Sequence, residues 1–179
     1  MPYELHPELP PEGRVREQRG GTGPSRVQVM AQQSGLEMIT PPVTPNPRLA
    51  FEATEYARGY GKEAEFHRTL FDAYWRRGLN IGTAPVLVQV AGEVGLEQEG
   101  LRKALDERTF EDAVDRKLDA SRQAWVRAVP TFVFNGRFAI EGAYPYESFR
   151  RFVAERLLKE PPEGPEGRGS RPGGPLPGA

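Results

Sequence analysis

The residues that point most directly to chemistry are Val129-Pro130-Thr131-Phe132-Val133-Phe134-Asn135-Gly136-Arg137. Proline has no N–H to give to a sheet ladder, so it belongs at the first residue of a strand or on an edge. Pro130 stands in such a place, ahead of the β-branched and aromatic run from Thr131 to Phe134. Asn135-Gly136 supplies the two positive-φ positions of a tight hairpin, and Arg137 to Ile140 forms the return strand. Gly142 and Ala143 follow. Tyr144-Pro145-Tyr146-Glu147 then opens a last helix, with Phe149, Phe152, Val153 and Leu157 at helical spacing. The unit sets a proline at a sheet edge and contains no thiol.

Other chemistries are narrowed by residue type. The 179 residues contain no cysteine, which excludes disulfides, thiolate nucleophiles and cysteine-ligated zinc or iron–sulfur centres within this chain. The two histidines, His6 and His67, lie far apart and lack the paired spacing of a zinc-binding helix, so no metal site is expected. They read as a surface-loop and a helix-face residue, and no motif calls for a cofactor. Gly20-Gly21-Thr22-Gly23-Pro24-Ser25 precedes a helix as a phosphate cradle would, yet it lacks the Lys-Ser/Thr end and follows no strand directly. It reads as a loop with a cap. Phe66, Leu70, Phe71, Tyr74 and Trp75 recur along one helix, a stripe that more often packs a core than lines a pocket. The helices' acidic residues read as solvated, exposed-face groups, and no catalytic residue is assigned.

The elements that must position the Pro130 unit are mostly helical. Pro24 starts a short helix whose apolar face is Val27, Met30 and Ala31 and whose stop is Gly35. Asn46-Pro47 starts a second, running to Gly59 over Leu49, Ala50, Ala53, Tyr56 and Ala57. Ala64 to Arg77 precedes Gly78, Thr83-Ala84-Pro85 begins a helix ending at Gly95, and two more cover Glu97 to Glu107 and Phe110 to Trp125. Tyr3-Glu4-Leu5, between Pro2 and Pro7, is expected to form one brief strand, with irregular chain from Glu8 to Thr22 and a loop from Gly35 to Pro45. The Gly/Pro-rich stretch from Pro161 to Ala179 cannot bury enough apolar surface to order and is expected to be a disordered tail.

Length and charge set outer bounds. A chain of 179 residues suits one core or one domain with an insertion. A net charge of −1 with both signs scattered argues against a nucleic-acid surface. No apolar run is long enough to cross a bilayer, and the first twenty residues are rich in Glu, Arg and Pro. A cytoplasmic protein without membrane or nucleic-acid partners is the expectation.

The order of strand, long helical insertion, the Val129 to Pro145 segment and terminal helix resembles the DsbA-like thioredoxin superfamily over about Pro2 to Leu158. Pro2-Tyr3-Glu4-Leu5-His6-Pro7, Pro11-Glu12-Gly13, Leu70-Phe71-Asp72-Ala73-Tyr74, Asn80-Ile81-Gly82 and Gly142-Ala143-Tyr144-Pro145 make the FrnE-like branch the nearest match. The resemblance implies an α/β, thioredoxin-like fold, N-terminally incomplete, with an inserted all-helical subdomain. Its parts would be residues 1–45, a remnant first segment; 46–125, the helical insertion; 126–160, the second thioredoxin half; and 161–179, the tail.

The resemblance also implies that Pro130 is a cis-proline lying against a redox pair, with Val129, Pro130 and Thr131 docking the backbone of an extended substrate. In the family, a Cys-x-x-Cys at the first helix N-terminus does the chemistry, the helix dipole lowering the first thiol's pKa. Nothing in these residues matches that segment. The expectation is a truncated start and a chain inactive in exchange as it stands, since thiolate attack on a disulfide requires a sulfur. In the intact family member the partners would be protein or peptide thiols and disulfides, or glutathione. The resemblance leaves two alternatives open: a relative of the glutathione-dependent isomerases and kappa-type transferases, or a non-catalytic peptide-binding module. Trp125-Val126-Arg127-Ala128 replaces the glycines usual before Val-Pro, and a Trp there would narrow the groove.

Overall fold

The computed structural model describes residues 2–17, 24–123, 128–134 and 138–157. The Gly20 to Gly23 loop, Trp125, the Asn135-Gly136 turn with Arg137, and the tail from Pro161 lie outside the described residues. The chain forms two compact units, Met1–Ala120 and Ser121–Ala179.

The first unit is a helical cluster preceded by a small ladder. Helix α1 spans Arg26–Gln33 and is capped by Ser25, whose hydroxyl accepts from the Gln28 N–H while the Gln28 side chain accepts from the Ser25 N–H. None of its residues is buried. Helices α2 (Arg48–Gly59), α3 (Glu63–Trp75), α4 (Ala84–Glu93), α5 (Gln98–Asp106) and α6 (Glu111–Gln123) follow. Asn46 accepts from the Arg48 N–H at the start of α2, and the Glu97 carboxylate accepts from the Glu99 and Gly100 N–H groups at the start of α5.

The core lies among α2 to α5. On α2, Ala50, Ala53 and Ala57 are small enough to admit Phe66 and Leu70 of α3 and Leu87 and Val90 of α4; Leu101 and Leu105 of α5 complete the cluster. Phe66, Leu87, Val90 and Leu101 are fully buried. The aromatic stripe of α3 is therefore chiefly core: Phe66, Leu70 and Tyr74 are buried, although Phe71 is exposed.

The expected strand at Tyr3-Glu4-Leu5 does not form. Strand β1 is instead Arg14–Val15, paired antiparallel with β2, Val43–Thr44, in segments whose composition suggested irregular chain. The physical reason is pairing: a strand exists only where a second backbone lies alongside. Gly13, at φ 81, lets the chain run beside Thr44, where an added Cβ would stand 2.6 Å from the Thr44 carbonyl oxygen. Among the described residues, no strand lies alongside Tyr3.

The second unit holds the β-hairpin and the last helix. Strand β3 is Thr131–Phe134 and β4 is Phe138–Glu141, in antiparallel register Thr131↔Glu141 to Phe134↔Phe138. Helix α7 spans Tyr146–Phe152 and passes into a π-helical turn, Val153–Leu157. Alternation places Phe132 and Phe134 on one face of β3. Their rings meet Phe149 of α7 at centroid distances of 4.9 and 5.6 Å, and Phe134 also meets Phe152 at 5.8 Å. Ile140, opposite Phe132, is buried.

Candidate functional site

Val129, Pro130 and Thr131 lie together at the mouth of the hairpin. The Val129–Pro130 peptide bond is cis. Val129 and Pro130 are exposed, while Thr131 is half-buried and donates its hydroxyl to the Ala128 carbonyl oxygen at 2.6 Å, tying the chain across the proline. The Pro130 carbonyl oxygen accepts from the Gly142 N–H at 2.7 Å. Gly142 has φ 98, a conformation that glycine adopts without the Cβ penalty of other residues.

That one hydrogen bond sets the parity of the ladder. In antiparallel pairing, residues alternate between pairs that exchange both backbone hydrogen bonds and pairs that exchange none. With Pro130 bonded to Gly142, the bonded pair is Phe132↔Ile140, and Thr131 and Val133 face away from β4. Among the described residues, no strand pairs with β3 on that side. The edge thus offers N–H and C=O groups beside exposed Val129 and Val133. This is the geometry that receives an extended polypeptide by strand addition.

A family model of the DSBA-like thioredoxin domain matches residues 2–154. The chain belongs to that family. It is also 33% identical over 167 residues to the uncharacterized protein YwbO of Bacillus subtilis, a match that takes in 89% of this chain and 82% of that protein. The thioredoxin-like α/β reading of the sequence is thereby shown, in a chain that is mostly helical.

Two motifs that carried the resemblance have structural roles in this DsbA-like chain. Asn46 donates its side-chain amide to the Leu9 carbonyl oxygen at 2.8 Å, and Asn80 donates to that of Glu12 at 3.3 Å, so Pro11-Glu12-Gly13 is tethered to the helical unit. Asn80 also accepts from the Gly82 N–H at 3.0 Å.

The remaining candidates bring no chemistry together. His6 pairs with Glu8 at 3.2 Å in exposed chain, and exposed His67 meets the Thr54 hydroxyl at 3.3 Å. No group of His, Asp and Glu suited to a metal ion occurs among the described residues.

One acidic residue departs from the expectation of solvated faces. Glu52 of α2 is 1% exposed and paired with Arg108, Oε1 to Nη2 at 2.7 Å. Burial raises its pKa, opposed by the Arg108 charge and hydrogen bond. Arg108, at φ 53, occupies the left-handed position after α5 that glycine ordinarily takes. On the same side of α2, Arg48 pairs with Asp115 of α6 at 2.5 Å and Glu55 with Lys117 at 2.5 Å. The spacing 48, 52, 55 marks one helical stripe, but nothing in it says that its middle member is buried.

Proposed function

We propose that this chain belongs to the thiol–disulfide oxidoreductase branch of the DsbA-like proteins, FrnE-like in its motifs, and carries the polypeptide-docking side of the site. Val129, Pro130 and Thr131 are the substrate-contacting residues, and Val133 extends the edge. The observation that carries this reading is the ladder parity, which turns the Thr131 and Val133 backbone groups away from β4. The substrate class is an extended protein or peptide segment bearing a thiol or disulfide, with glutathione as the small-molecule counterpart and the cytoplasm as the compartment. No helix among the described residues is long and apolar enough to cross a membrane.

The chemical step requires a thiol, and these residues contain no cysteine. Exchange proceeds by attack of a thiolate on a disulfide through a mixed-disulfide intermediate, and no hydroxyl or imidazole substitutes for that step. Docking without turnover is therefore the expected behaviour of this chain by itself.

Insulin reduction by dithiothreitol, with and without the chain, tests the chemistry: no acceleration is expected, and a rate above that of dithiothreitol alone overturns it. Docking is tested by titrating an oxidised, unstructured peptide against the isotopically labelled chain. Amide shifts should concentrate at Val129 to Val133 and weaken in Val133→Pro, which removes an outward N–H without taking a ladder bond. Shifts elsewhere, or an unchanged response in the variant, would sink the docking assignment.

A further inference from the structure

The geometry points to an oxyanion-binding site at Arg16, in the first unit, for a ligand bearing a carboxylate or phosphoryl group. Arg16 follows β1 and is half-buried. Its backbone N–H donates to the Pro42 carbonyl oxygen at 2.8 Å. Its guanidinium is held from two directions: Nε donates to the Thr44 hydroxyl at 3.0 Å and Nη2 to the Tyr74 hydroxyl at 3.0 Å. The fork is fixed before any ligand arrives, so little side-chain freedom remains to be lost on binding.

Neither holding group neutralises the charge. Thr44 is an alcohol. Tyr74 is buried, and burial raises its pKa, with the Arg16 charge and hydrogen bond working the other way, so it remains a neutral phenol at physiological pH. Its O–H is directed to the Val43 carbonyl oxygen at 3.4 Å. Other partly buried arginines of this unit are treated differently: Arg48 meets Asp115 and Glu4, Arg77 meets Asp72 and Glu93, and Arg108 meets Glu52 and Glu111. Among the described residues, Arg16 has no carboxylate within ion-pair distance, and its Nη1 has no partner.

A guanidinium carries more N–H donors than Thr44 and Tyr74 use, and its planar fork matches two oxygens of a carboxylate or phosphate side by side. The Nη1 edge therefore supplies both the charge and the shape for an oxyanion. The site is built from residues of the first unit alone. The ligand fits as the charged end of a small molecule or peptide.

The test uses the full chain, inorganic phosphate and acetate, with ionic strength held constant by chloride. Two readouts are followed: the Arg16 side-chain Nε–H signal by NMR and the thermal midpoint. Saturable movement of that signal, with a rise in midpoint, is expected with at least one anion. A response to acetate alone identifies a carboxylate site, and a response to phosphate alone a phosphoryl site. Arg16→Gln should abolish the anion-dependent rise, Arg16→Lys should weaken binding roughly tenfold by losing the fork, and exposed Arg14→Gln should leave it unchanged. Because the NMR titration reads the wild-type chain, the test stands even where Arg16→Gln folds poorly. A wild-type chain indifferent to both anions, or equal responses in wild type and Arg16→Lys, would overturn the assignment.

Discussion

Replacing Arg108 by glycine sets two effects of opposite sign against each other. Arg108 holds φ 53, and the left-handed conformation costs a residue with a Cβ about 1 kcal/mol, which glycine recovers. The same change strips the partner from the Glu52 carboxylate, which is 1% exposed. Removing one member of a buried pair costs about 3–5 kcal/mol, and the low end applies because the Arg108 side chain is 40% exposed. The orphaned carboxylate also has an escape, which is to bind a proton. From an ordinary pKa near 4.3, at about 1.4 kcal/mol for each pH unit, that escape costs about 4 kcal/mol at neutral pH and about 1 kcal/mol near pH 5. Arg108→Gly should therefore lose about 2–3 kcal/mol at pH 7 and almost nothing near pH 5. Urea unfolding followed by circular dichroism at a series of pH values measures this directly. A loss that stays constant with pH, or a variant more stable than wild type at pH 7, would refute the argument that Arg108 is there to answer Glu52.

Glu52 also gives the wild type a pH dependence of defined sign. A carboxyl whose folded pKa is raised binds more protons folded than unfolded, so its contribution falls as pH rises from the ordinary carboxylate pKa through the raised one; Glu52→Gln should remove that decline in pH-dependent urea curves. Glu63 and Glu93 act the other way, since hydrogen bonds from Arg58 and Arg77 lower their pKa values. Their contribution is present above the ordinary carboxylate range and is lost as pH falls through the lowered values. Both side chains are more than a third exposed, so Glu63→Gln and Glu93→Gln should each flatten the acid limb by only about 0.2–1 kcal/mol, less at high salt. Gly82→Ala should destabilise by about 1–3 kcal/mol in the same assay, because its Cβ would stand 2.8 Å from the Asn46 carbonyl oxygen and 3.1 Å from Asn80 Oδ1. A neutral result would mean that the Asn46 and Asn80 tethers give way without cost.

Helices and the hairpin were legible because their signals are local. Asn46, Thr83 and Pro85 mark starts, Gly35, Gly78 and Gly95 mark stops with positive φ, and apolar residues recur at helical spacing between them. Pro130 before a β-rich run marked the candidate site for the same reason: proline at a strand start is dictated by its missing N–H. The β1·β2 ladder was not legible. Arg14–Val15 and Val43–Thr44 are two residues each, too short for a period, and their pairing depends on Gly13 admitting a backbone far away in sequence.

What the sequence determined by itself was the type and order of the helices and of the hairpin strands, and the absence of any thiol among 179 residues. Each follows from side-chain chemistry acting over a few residues. The tertiary structure decided which backbone groups face the open edge of β3, because that parity hangs on the bond between Gly142 and Pro130. It also decided which charges are exposed. Glu52 and Arg16 look like surface residues in sequence, yet packing buries one against Arg108 and fixes the other between two neutral hydroxyls. Burial and partnership are properties of neighbours brought together by the fold, and no local pattern of residues encodes them.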